Sequence, residues 1–96
     1  MPRFLVTRPD FDPGTSYMFQ WSEPLIRLAR DNGIGVTDIK GPDVNDRNVV
    51  GKLGAVKPEF VCLNGHGDKD TYCGHEFKPV LEPKTAGALS GTMTYV

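Results

Sequence analysis

Short apolar runs bounded by turn-forming residues alternate along this chain with stretches whose apolar positions recur every three or four residues. The first run, Phe4-Leu5-Val6, stops at Arg8-Pro9-Asp10 and predicts a buried strand. Residues 10–16 combine Asp, Pro and Gly, which supply local side-chain hydrogen bonds, fixed φ and positive φ, and are expected to form a loop. Over residues 17–32, Tyr17, Met18, Trp21, Leu25, Leu28 and Ala29 fall on one helical face, and Gly33 closes the helix. Pro24 lacks a backbone donor and disfavours helix at Glu23, so the helix either starts at Ser22 or, as favoured here, kinks at Pro24, with residues 22–31 helical in both cases.

The pattern then repeats. Residues 34–39, with Val36 and Ile39 apolar, predict a second strand closed by Gly41-Pro42-Asp43. Asn45 caps a short helix through Val49, Val50 and Leu53 that ends near Gly54. Beyond Lys57-Pro58, the continuously apolar Phe60-Val61-Cys62-Leu63 reads as a central strand covered on both faces. Residues 92–96 read as a fourth strand. Strand, helix, strand, helix, strand is the order of right-handed crossovers. The expected fold is an α/β three-layer sandwich with a mostly parallel sheet, in the order second, first, third, fourth, with a flavodoxin-like order as the fallback.

Composition narrows the function classes. A chain of 96 residues fits one domain, and 39% apolar with 24% charged residues is the balance of a folded protein. Eleven Lys and Arg against twelve Asp and Glu leave a net charge of −1, with no run of like charges. Neither a nucleic-acid partner nor an anionic membrane surface is expected. The N-terminus meets Arg3 and Arg8 too early for the apolar core of a signal peptide, and no stretch spans a membrane, so a cytoplasmic location with Cys62 and Cys73 reduced is expected.

Open parallel sheets react at the carboxyl ends of their strands. Asn64-Gly65-His66-Gly67-Asp68 sits at such an end, where flanking glycines allow a sharp turn and leave the imidazole uncrowded at a rim. Asp10, Asp12 and Thr15 of the first loop reach the same edge and, with Asn64 and Gly67, are the candidate substrate-binding residues. Cys62 is read as core packing, and Trp21 and Phe19 as core or surface packing on the helix instead of a binding platform. His66, Asp68, Asp70, Cys73 and His75 lie within ten residues, which suggests zinc as an alternative, although their spacing fits no paired Cys and His motif. No metal or other cofactor is therefore assigned. A noncatalytic interaction module that uses the same sheet is the third reading.

The segment Phe60-Val61-Cys62-Leu63-Asn64-Gly65-His66-Gly67 resembles the strand that delivers the catalytic histidine in caspase-like cysteine peptidases, the group of gingipains, clostripain, separases and CHAT domains. Residues 71–76 and 77–81 are placed like the short hairpin that follows the histidine there. The resemblance implies a caspase-like fold of which residues 1–96 form the N-terminal part, and a peptide or protein substrate. It makes His66 the residue that assists a cysteine thiolate and returns a proton to the leaving amine. It places the nucleophilic Cys after the next apolar strand, beyond residue 96, so the 96-residue chain is expected to be inactive alone. Cys73, seven residues past His66 across a reversal, is the alternative nucleophile. Acidic residues in the first loop would favour a basic substrate side chain, in keeping with the Arg or Lys preference of several such families. An unprotected strand at 92–96 would support self-association or pairing with a further segment.

Overall fold

The computed structural model describes residues 2–67, 71–89 and 92–95, and the zinc candidates Asp68 and Asp70 lie outside them. β1 (Arg3–Arg8), β2 (Gly35–Lys40), β3 (Phe60–Leu63) and the later β7 (Met93–Tyr95) form a parallel sheet in the order β2-β1-β3-β7. Every pairing within it is parallel, with Phe4 opposite Val36 and Phe60, and Phe60 opposite Met93. Side chains alternate across a strand, so the two faces of β1 divide its residues. Leu5 joins Val61, Leu63, Ile39 and the Val49 and Leu53 of α2 (Asp46–Val56) in one buried cluster. Phe4 and Arg8 meet α1 (Pro13–Asp31) instead.

The first helix starts earlier than its apolar pattern suggests. Residues 13–16, expected in a loop, are its first turn. Asp12 adopts extended φ/ψ, its carboxylate accepts from the Thr15 amide at 2.8 Å, and the Thr15 hydroxyl accepts from the Asp12 amide at 3.2 Å. This reciprocal cap satisfies two of the donors a helix start leaves open, and Pro13 sits at the first helical position, where its missing N–H is no loss. The helix then runs through Pro24 without a break. The carbonyl that Pro24 deprives of a partner belongs to exposed Gln20, where water can reach it.

The face that α1 buries is also not the expected one. Thr15, Ser22, Ile26 and Ala29 are buried, whereas Tyr17, Met18, Trp21, Leu25 and Leu28 are exposed. Trp21 is a surface ring beside Tyr17, with centroids 6.1 Å apart. Phe19 attends to Arg8 instead, with its ring 4.3 Å from the guanidinium carbon and its carbonyl accepting from the same side chain. Arg8 is almost wholly buried at the carboxyl end of β1, where Asp38 of β2 binds it through both oxygens and Glu23 of α1 through one. A buried guanidinium is tolerable only when carboxylates surround it, so this trio fixes α1 over β1 and β2.

α2 is capped by the Asn45 side chain, which accepts from the Asn48 amide at 2.8 Å, and closes with Lys57 in the left-handed conformation. β3 is less enclosed than its apolar run implies, because Phe60 is exposed and Cys62 half-buried on the α1 side. Past β3, the chain forms a small antiparallel sheet of β4 (His66–Gly67), β5 (Tyr72–Cys73) and β6 (Pro79–Leu81). Its last two strands are the expected hairpin, and pairing by the His66 segment adds a strand that the glycines did not suggest. Among the described residues, no helix is long and apolar enough to cross a membrane.

Candidate functional site

The small sheet is bolted to the large one beneath His66. Buried Tyr72 donates its hydroxyl hydrogen to the Asn64 carbonyl, Thr7 approaches the same hydroxyl at 2.6 Å, and the Asn64 amide donates to Thr7 Oγ1 at 3.2 Å. Burial pushes the Tyr72 phenol further up, so it stays protonated and keeps its donor. Gly65 makes the close approach achievable. Its φ is +156°, and a Cβ there would lie 2.5 Å from the Cys73 carbonyl oxygen and 2.9 Å from the Tyr72 ring.

His66 lies at the carboxyl edge of the parallel sheet with its side chain 36% exposed, as the glycine-flanked motif predicts. The ring is not uncrowded, however. Phe77 stands 4.5 Å away and Phe11 5.6 Å away, measured between centroids, and Phe11 also contacts Phe77 and His75. The polar contact is with Asp12, whose Oδ2 is 2.7 Å from His66 Nε2. Hydrogen bonds from the Thr15 amide and hydroxyl, and then from His66, hold the Asp12 carboxyl below its ordinary range. An ionised carboxylate can only accept, so the neutral imidazole carries its hydrogen on Nε2 and keeps its lone pair on Nδ1. Asp12 therefore selects the tautomer of His66 while capping α1.

Of the other predicted residues, Asp10 and Gly67 are exposed at this edge. Thr15 and Asn64 are buried: Thr15 commits its hydroxyl to the cap, and among the described residues Asn64 Nδ2 has no partner. Cys73 faces His66 directly in the antiparallel ladder, a relation that places Cβ atoms about 4.5–5.5 Å apart. Burial raises the Cys62 thiol, and both cysteines are free. No group of three or more His, Cys, Asp or Glu side chains among the described residues could hold a metal ion.

Phe11 and Phe77 are the site residues that sequence reasoning missed, and His75, weighed there as a zinc ligand, instead meets the Phe11 ring. Glu76 and Phe77 both have positive φ, 55° and 61°, a conformation that side-chain-bearing residues adopt at roughly 1–2 kcal/mol each. Only tertiary contact reveals them, whereas the Asp12-Pro13 pair followed by Thr15 was a readable helix start. In comparisons with protein-family models, curated proteins and solved structures, the chain matches none.

Proposed function

We propose that this chain is the histidine-bearing part of a cysteine peptidase built as a caspase-like three-layer sandwich, with His66 as the acid-base residue. The observation that carries the reading is the His66 and Asp12 pair at the carboxyl edge of a parallel sheet. A base oriented by a carboxylate is one of the two parts that thiol hydrolysis needs. The other is a thiolate, assigned to a cysteine beyond residue 96. The thiol passes its proton to Nδ1 of His66 and attacks the peptide carbonyl as the thiolate, His66 returns that proton to the departing amine, and a water that gives a proton to His66 then displaces the thiolate from the acyl group. Asp10 and Gly67, exposed at the rim, are the substrate contacts this reading uses first, with a basic substrate side chain favoured.

Peptide hydrolysis tests it. The 96-residue chain alone should turn over neither basic nor acidic peptides. A chain extended along its natural reading frame through such a cysteine should cleave them, with His66→Ala lowering kcat by at least about a hundredfold. An extended, folded chain with that cysteine that cleaves nothing would sink the proposal. The cross-strand register of His66 and Cys73 favours one second reading, in which Cys73 is the nucleophile. Turnover by the 96-residue chain that disappears with either Cys73→Ala or His66→Ala would establish it.

A further inference from the structure

Helix α1 carries more apolar surface than its own sheet covers. At about 100° per residue, Thr15, Ser22, Ile26 and Ala29 point toward the sheet and are buried. Tyr17, Met18, Trp21, Leu25 and Leu28 occupy the adjoining flank, where Tyr17 is 61%, Trp21 64% and Leu28 60% exposed. Next to that flank runs an apolar groove of about 460 Å³, floored by Phe4, Phe60, Cys62 and Thr94 and walled by Leu25 and Ala29. Phe4 and Phe60 lie in the first two residues of their strands, so the groove lies toward the end of the sheet opposite His66.

We infer that this flank and groove form a homodimer interface in which α1 of a second copy packs against α1. The surface is complementary to itself: Tyr17, Trp21 and Leu25 follow at four-residue steps, and identical ridges of that kind interlock when helices cross near −50°, the commonest packing class. A two-fold axis brings the same patch to both sides, and none of the five flank residues is charged, so no like charges meet. The area suffices. With ordinary side-chain areas, the flank and Phe60 leave roughly 600 Å² exposed, near the ~800 Å² each partner contributes to a standard interface. A lipid surface fits less well, because an interfacial helix needs a cationic polar face and α1 balances Arg27 and Arg30 with Glu23 and Asp31.

Sedimentation of the 96-residue chain tests the interface, and Trp21, the one tryptophan, reports on it directly. Twice the monomer mass at high micromolar concentration is expected, with Trp21 emission shifting to the blue as dimer forms. Trp21→Arg and Leu28→Arg should each weaken the dimer by at least about tenfold. Their circular dichroism should match the parent, since both side chains are exposed. A monomer at every concentration with solvated tryptophan emission overturns the inference. So does a dimer that tolerates both substitutions, which would put association on β7, or a monomer that binds phosphatidylcholine and phosphatidylserine vesicles through Trp21.

Discussion

Asp12 holds two structures at once, because one oxygen binds the Thr15 amide and hydroxyl and the other binds His66. Its ionisation is favoured in the folded protein, so the stabilisation it brings is present above the ordinary carboxyl range and is lost as acid titrates the folded group. Asp12→Asn should keep most of the cap and lose the negative charge on the oxygen that accepts from His66. Urea midpoints of the two proteins should differ at neutral pH and converge in acid, and a gap that persists unchanged in acid would refute the ionic account. Cys62 and Cys73 should also separate. The thiol of Cys62, half-buried like Cys73 and raised by desolvation, should react with iodoacetamide more slowly than that of Cys73, as mass spectrometry of the alkylated peptides would read. At Gly65, Ala would meet the Cys73 carbonyl oxygen. Gly65→Ala should therefore loosen the small sheet first, visible as faster amide exchange at Tyr72 and Cys73.

Single elements answer to their caps and breakers. Asn45→Ala should lower stability by about 1 kcal/mol, since the Asn48 amide loses its acceptor. Pro24→Ala should act in the opposite direction by as much as about 3 kcal/mol, because the residue is exposed and an interior Ala restores a helical hydrogen bond. Thermal unfolding reads both. The strands were legible because a buried strand needs only a short apolar run between turns, which Phe4-Leu5-Val6 and Phe60-Val61-Cys62-Leu63 supply. The helix face was not. Its apolar positions span both the buried side, Ile26 and Ala29, and the bare flank, Tyr17 to Leu28, and periodicity alone gives no means of choosing which half meets the sheet. His66 was legible from its glycines, but its bond to Asp12 joins residues 54 positions apart and depends on how β1 and β3 align.

Across the molecule, two separate interiors support the sheet. On the α2 side, Leu5 and Val61 belong to a continuous apolar cluster, and Leu5→Ala should cost about 2–5 kcal/mol in denaturant titration. On the α1 side, the Arg8 trio replaces part of that apolar packing. Asp38→Ala leaves the buried guanidinium with one carboxylate, Glu23, in place of two, and a loss of about 3 kcal/mol or more is expected. Replacing Arg8 and Asp38 together by apolar residues should be milder than the single change, a non-additivity that a double-mutant cycle would measure.

The pairing of β1 with β3 also sets the tempo of folding. Phe4 and Phe60 are partners although 56 residues separate them, and β7 joins β3 only near the end of the chain. During synthesis the first strand can pair with β2 on one side, but its other edge must wait until the third has emerged. Such non-local closure is slow, and the waiting strand is open to adhesion by other nascent chains. Slow refolding, with yield falling as protein concentration rises, is the behaviour this connectivity imposes.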